Sequence, residues 1–582
     1  MPPLLALYTF HREEVVPVAK AIVLAVGLLT AWGAAAAADE VTAQQGMVSS
    51  AHELASMAGV EILQRGGNAV DAAVATALAL NVVEPNASGI GGGGFMTIYL
   101  AAAEQVIVLD YRETAPASAT KDMFSSSRAQ AEQWSAVGGK SVAVPGWLLG
   151  MWTALERYGT MSFADVAAPA IRLAEDGFVV HPMQTGIIID SFPKLLAYTP
   201  PDLLPYLDQG LPIEAGMVLR QPALAGAFRL IAEQGPGVFY GGSMGKAVVA
   251  AVNRAGGAMT IEDLADYRVE IRAPVSGTYR GYRIYSVPPA SSGGTHIVQL
   301  LNILEHFPMR EFGHNSTMAL HVMAEAMKRV FADRDAYMAD TAFADVPLAG
   351  LQSKAYAQAL ASTIDLARAT TDVAPGNPWA YQTAGGLDLN GELGDELFST
   401  SHFSVADEEG NIVASTNTIN QFFGSGVFVP EYGIILNNQM DDFAKSPSSV
   451  NAPEPGKRPL SSIAPTVVLD SQGQPFLAVG AAGATRIITA IVQIIVNAVD
   501  YGMMMDEAIE ELRIYNLATG ALYYEKGLDA EVLAALEGMG HVLVAADRSS
   551  AFGTANGILF DSAAGVMYGG ADSRRLGAAV GY

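Results

Sequence analysis

The chain changes its repeat pattern near residue 398, and that change limits the fold more than any other feature. Between 150 and 360 apolar residues recur at helical spacing, broken by one strand-like stretch at 279–287 and the loop Pro288-Pro-Ala-Ser-Ser-Gly-Gly294. From 398 onward come short β-rich segments bounded by turn residues, at 402–418, 427–437, 464–469 and 475–479. A helix follows at 486–501, and strands close the chain near 541–568. Upstream, a helix at 52–64 stops at Gly66-Gly67, an alanine-rich helix runs from 71 to 82, and alternation over 96–100 and 106–109 reads as a hairpin leading to Asp110-Tyr111-Arg112. A parallel βαβ series would alternate strand and helix throughout. Blocks of helix, strand and helix point instead to a layered α/β architecture around stacked sheets. Residues 383–395, rich in Gly and acidic side chains, are expected to be exposed.

Composition narrows the chemistry. With 582 residues, 51% hydrophobic and only 16% charged, the chain can bury a large core, as one very large domain or several ordinary ones. The net charge of −26 repels phosphate backbones and argues against nucleic-acid partners. No cysteine is present, which removes thiol nucleophiles, cysteine-held metals and disulfides. Nine histidines without close spacing offer no metal-ligand pattern, and Gly89 to Gly94 lacks the Lys-Ser/Thr that a phosphate cradle needs, so neither metal nor cofactor is expected. Near the N-terminus Lys20 precedes an apolar run to Trp32, then Gly33 and Ala34 to Ala38. That is the pattern of a signal peptide, 1–38, removed after Ala38. The run is shorter than the roughly 20 residues of a membrane span, so export to the periplasm or medium without a stable membrane anchor is expected.

The segment Phe398-Ser399-Thr400-Ser401-His402-Phe403-Ser404-Val405-Ala406-Asp407 is joined by Glu408-Glu409-Gly410 to Asn411 and the strand ending at Thr418. A three-residue loop ending in Gly fits a type I turn followed by a left-handed glycine. If Asp407 faces Asn411, Thr400 faces Thr418 at the open end of the hairpin, and a slip of one residue would place them on opposite faces. Pattern alone favours an ordinary cross-strand Thr–Thr pair.

Thr400-Ser-His-Phe-Ser, Asn437-Asn-Gln-Met-Asp-Asp-Phe443, Arg458-Pro-Leu-Ser-Ser462, Asp110-Tyr-Arg-Glu, Gly89-Ile-Gly-Gly-Gly-Gly-Phe, the Pro288 loop and the terminal Gly581-Tyr582 together resemble the γ-glutamyltranspeptidases, or glutathione hydrolases, in order from Met47 to Tyr582. The resemblance implies a four-layer αββα N-terminal-nucleophile hydrolase, made as one inactive chain that cuts itself between Ser399 and Thr400. The products would be a large subunit, 39–399, and a small subunit, 400–582. Cutting frees an α-amino group on Thr400 whose ordinary pKa, about 7.7–8.0, suits a general base near neutral pH, so one residue supplies nucleophile and base.

The other roles follow from the same resemblance. Thr418 would hydrogen-bond the Thr400 hydroxyl. Gly483 and Ala484 would supply oxyanion-hole N–H groups. A glycine is usual at the second position, and Ala484 keeps the hole unstrained only if its backbone takes a negative φ. Arg112 would anchor the α-carboxylate of a γ-glutamyl donor with Ser461 and Ser462, while Asn420, Gln439 and Asp442 would hold its α-amino group. His402, beside the nucleophile, is expected to be structural. Implied partners are small γ-glutamyl donors such as glutathione and amino acid or dipeptide acceptors. Alternatives are a cephalosporin (glutaryl) acylase, a poly-γ-glutamate-processing relative, or a non-catalytic exported binding protein. Better-known members carry a longer, aromatic-bearing lid between Asp442 and Arg458. Here only 444–456 separate Phe443 from Lys457, and Pro447, Pro453 and Pro455 predict a stiff, extended segment.

Overall fold

The computed structural model describes residues 40–382, 399–548 and 552–582. The expected signal peptide and the acidic stretch 383–395 lie outside the described residues. Among the described residues, the two large sheets use fourteen strands: β1 Val41–Ala43, β2 Met47–Ser50, β3 Gly93–Leu100, β4 Gln105–Asp110, β5 Glu270–Arg272, β6 Val275–Tyr279, β7 Tyr282–Ser286, β8 Ser399–Ala406, β9 Ile412–Asn420, β10 Thr466–Leu469, β11 Pro475–Ala482, β12 Thr554–Asp561, β13 Val566–Ala571 and β14 Ala578–Gly581. One sheet runs β1-β13-β12-β11-β10-β7-β6 and the other β14-β2-β8-β9-β3-β4-β5, each seven-stranded and antiparallel throughout.

Helices α1 (Glu53–Gln64) and α2 (Ala69–Val83) share a core with the second sheet, while α3 (Gly293–Leu304), α4 (Thr317–Tyr337) and α5 (Arg486–Asp500) share one with the first. The two sheets face each other through Tyr99, Ile412, Ala414, Val467, Leu469 and Ala478. This is the αββα sandwich. Helix α2 shows why it forms: Asn68 caps it in a reciprocal capping box with Asp71, and all fifteen of its residues are buried, as an alanine-rich helix enclosed on every side requires. Both sheets take strands from either side of the Ser399–Thr400 bond, so a cut there leaves two chains interleaved in one core.

The nucleophile hairpin has the expected register, with His402 opposite Thr416 and Ala406 opposite Ile412. Gly410 is left-handed (φ 83) and its N–H donates to Asp407 O (3.2 Å). Elsewhere sequence pattern undercounted strands. The single strand expected at 279–287 is two, β6 and β7, joined at Arg280-Gly281, where both residues have positive φ (51 and 91). Arg-Gly is not among the usual signatures of such a turn, so periodicity hid it. The short strands β1, β2 and β14 were also unread, because each is fixed by pairing with a distant segment.

Candidate active site

Strands β8 and β9 are central and buried along their whole length, and their open end reaches a cavity of about 770 Å³. The register shifts between Ser399 and Ser401, so Thr400 sits at a bulge, beside the bond expected to break. The chain is continuous here, and the Thr400 nitrogen is still a peptide nitrogen. Thr400 Oγ1 donates to Ser399 O (2.7 Å), Thr418 Oγ1 donates to the same oxygen (2.7 Å), and the two hydroxyls lie 3.2 Å apart. Asn420 N–H donates to Thr418 Oγ1 (2.8 Å). The Ser399 carbonyl thus carries two hydroxyl donors.

The glycine run leads here as well. A Cβ on Gly91 would lie 2.0 Å from Ile435 O, and one on Gly92 would lie 2.2 Å from Thr418 O. Gly92 lets this backbone press against the strand that carries Thr418 and Gly91 lets it press against Ile435, which is a packing role and not a phosphate cradle.

Ala484 lines the same cavity as Thr400 and takes φ 52. The negative φ needed for an unstrained alanine is therefore not what the chain adopts. A left-handed alanine costs about 1 kcal/mol, and the tight turn from Gly483 (φ 134) into α5 imposes it. The turn leaves the N–H groups of Gly483 and Ala484 without an acceptor among the described residues. A pair of free N–H groups at the start of a helix is suited to a developing oxyanion.

Arg112 is buried, and its guanidinium donates to Asp442, to Pro459 O (3.3 Å) and to Leu460 O (3.4 Å). The two residues expected to hold opposite ends of a substrate thus hold each other. Gln439 Nε2 donates to the same Asp442 oxygen (2.6 Å), and burial pushes the Asp442 carboxyl up against the pull of Arg112. An incoming amino acid head carries one charge of each sign, so it can part the pair and leave every charge with a partner. Asn437 and Asn438 pin the backbone of this turn, Asn437 through Gly91 O and Ala143 O, Asn438 through Ala136 O. Asn420 (φ 76), Ser461 and Ser462 complete this wall. The segment 444–456 is not extended: Ala444 N–H donates to Asn451 O (2.9 Å), and Asn451 ties it to Asp442 O (2.7 Å) and Leu460 N (3.1 Å). Residues 444–446 and 448–451 line the cavity.

Three features escaped the sequence. Arg575 Nη1 donates to Thr400 O (2.8 Å), and Ser401 Oγ donates to Glu84 (2.6 Å), so the nucleophile strand is held from a second side. Glu113, beside Arg112 (3.7 Å), is fully buried with both oxygens unbonded, and burial pushes its carboxyl up to about 8. Finally, His321 and His541 meet (2.8 Å) next to Glu325. Spacing could not reveal a pair 220 residues apart. Lys328 and Arg329 already neutralise that carboxylate, and a dication would face both.

His402 bonds Thr416 Oγ1 (2.7 Å) and Ser404 Oγ (3.1 Å), and its ring packs where a Cβ on Gly480 would stand. Burial lowers it to about 3. The unfolded imidazole, near 6.5, takes a proton first as pH falls, so this residue withdraws stability below 6.5 at about 1.4 kcal/mol per pH unit until about pH 3. Other buried groups titrate in both directions, so the expected result is differential. In denaturant unfolding, His402→Gln should lose about 2 kcal/mol less than the parent between pH 7 and pH 5. Parallel pH profiles would show that the ring is not held neutral.

The Gamma-glutamyltranspeptidase family description matches residues 55–582. The chain is 40% identical over 542 residues to the glutathione hydrolase proenzyme of Bacillus subtilis (strain 168), covering 92% of each. It is 41% identical over 524 residues to the acylase ACY 1 proenzyme of Pseudomonas sp. (strain SE83), covering 89% of this chain and 90% of the relative. Among solved structures, the cephalosporin acylase from Bacillus halodurans is similar at a TM-score of 0.84 and 30% identity, over 95% of this chain and 98% of that one.

Proposed function

This chain belongs to the gamma-glutamyltranspeptidase family, and on that premise we propose that the Thr400 cavity is where it acts on its donors and that Arg112 and Asp442 select them. The protein is a γ-glutamyl hydrolase and transferase that uses glutathione, made as a precursor that cuts itself. The cut falls between Ser399 and Thr400, giving subunits 39–399 and 400–582. The Thr400 oxygen adds to the Ser399 carbonyl, the C–N bond breaks to leave an ester and a free α-amine, and water hydrolyses the ester. In turnover that amine takes the hydroxyl proton as Thr400 attacks the γ-carbonyl. The Gly483 and Ala484 N–H groups receive the oxyanion, and the proton passes to the leaving amine. Water or an amino acid or dipeptide acceptor then releases the glutamyl group. Among the described residues no helix is long and apolar enough to cross a membrane, and we assign the mature enzyme to the periplasm or medium.

Identity to hydrolases and to an acylase is level, so the choice of donor rests on the pocket. The observation that carries it is the pairing of buried Arg112 with half-buried Asp442 on the wall of the Thr400 cavity. A glutaryl group, which lacks the α-amine, would leave Asp442 unpaired. The shortness of the segment 444–456 further supports access for donors longer than a tripeptide. Glutathione, a γ-linked glutamate oligomer and a glutaryl anilide, supplied in parallel, test both parts. Free glutamate is expected from the first two, with a glutaryl specificity constant lower by about tenfold or more. Equal constants for γ-glutamyl and glutaryl donors would make the protein an acylase. No release from the oligomer beside normal turnover of glutathione would show that another segment closes the pocket.

A further inference from the structure

Arg334, on α4, is 3% exposed and lines the cavity, yet no role in the reaction described above requires it. Its Nε donates to Ser292 Oγ (2.8 Å) and its Nη2 to Ser462 Oγ (3.0 Å). Ser292 Oγ in turn donates to Ser461 O (2.8 Å), and so does its backbone N–H (2.8 Å). One guanidinium therefore braces the Ser461–Ser462 turn from behind.

A guanidinium only donates. Facing it, Ser462 Oγ must accept, and its single proton has to point elsewhere. Among the described residues nothing accepts that proton, and Ser462 borders the cavity. Ser461 Oγ is in the same state: it accepts from Ile463 N–H (3.1 Å), and among the described residues nothing accepts its proton. Both hydroxyls are thus presented as donors, on the turn whose preceding carbonyls, Pro459 and Leu460, hold Arg112. Two hydroxyl donors beside a buried guanidinium suit a carboxylate. Without Arg334, the Ser462 hydroxyl could turn and donate to protein instead.

We propose that Arg334 is a positioning residue that fixes the donor direction of Ser462, and through Ser292 that of the Ser461–Ser462 turn, so that the pocket captures acyl donors bearing a free carboxylate. The proposal rests on the donor reading given above, and its test separates the two. The probes are a chromogenic γ-glutamyl anilide as substrate, glutaramate (carboxylate without amine) and 4-aminobutanamide (amine without carboxylate) as competitors. Arg334→Lys should raise KM for the anilide and Ki for glutaramate by about tenfold. The kcat should stay within about threefold and Ki for 4-aminobutanamide within about twofold. In a Ser462→Ala background, Arg334→Lys should add little, because both changes remove one interaction. Equal losses for both competitors, or additive losses in the double variant, would overturn the proposal. Should Arg334→Lys remain an unprocessed chain, Ser292→Ala, which keeps the charge, should show the same carboxylate-selective loss in milder form, and an even loss there would also overturn it. If the parent enzyme instead prefers glutaryl donors, the same contrast is read with a glutaryl anilide, so failure of the donor reading leaves this test intact.

Discussion

Thr400→Ala is expected to run as one chain on a denaturing gel and to turn over no γ-glutamyl anilide, while the parent resolves into two chains, the smaller beginning at Thr400. The residue acts twice, so one deletion removes both steps. In the uncut chain its hydroxyl is bonded to the carbonyl it must attack, and Thr418 supplies a second donor to the same oxygen. Alanine leaves no atom that can form the ester. Thr400→Ser keeps the oxygen and should still process. Thr418→Ala keeps the nucleophile but strips one donor from the scissile carbonyl, and should slow processing by about a hundredfold, the usual loss for one oxyanion donor. Processing of Thr400→Ala at the same bond would show that another group makes the cut.

Arg112→Ala should lower kcat/KM for γ-glutamyl donors by about 10²–10³, mainly through KM, while the precursor still processes. Arg112 is buried and Asp442 half-buried, and truncating one partner of a hydrogen-bonded charge pair so removed from water commonly costs about 2–5 kcal/mol, at about 1.4 kcal/mol per factor of ten. The self-cleavage proposed above uses Thr400, Thr418 and the Ser399 carbonyl, none of which bonds Arg112. Two acids would lose their counter-charge, Asp442 and Glu113. Burial already pushes both upward, with Arg112 the main opposing pull, so they can answer its loss by taking protons. Arg112→Lys keeps the charge without the two-pronged fork and should fall between the two. Steady-state kinetics with a processing gel for each variant checks this. An unchanged KM in Arg112→Ala would place carboxylate capture elsewhere.

What could be read beforehand differed sharply between elements. The nucleophile hairpin was legible from its own residues, because a three-residue turn ending in Gly fixes the pairing along both strands, and the structure keeps that register from His402 to Ala406. The alanine-rich helix was legible from its composition. Arg112, Asp442, Ser461 and Ser462 were legible only through resemblance to a family, since nothing in their local sequence separates them from surface pairs and turns. Local sequence does not choose the backbone conformation of Ala484, and the tight turn into α5 sets it left-handed.

By itself, then, the sequence determined the layered α/β class and the facing of Thr400 and Thr418, both of which depend on periodicity and on contacts closed by short loops. The tertiary structure alone decided that Arg112 pairs with Asp442 across 330 residues, that Arg334 braces Ser462 across 128 and that Arg575 holds Thr400 across 175. These contacts are set by which buried charges and hydroxyls must find partners once the layers close. That need leaves no periodic trace in the chain, because it arises only when water has been excluded from the space between the elements.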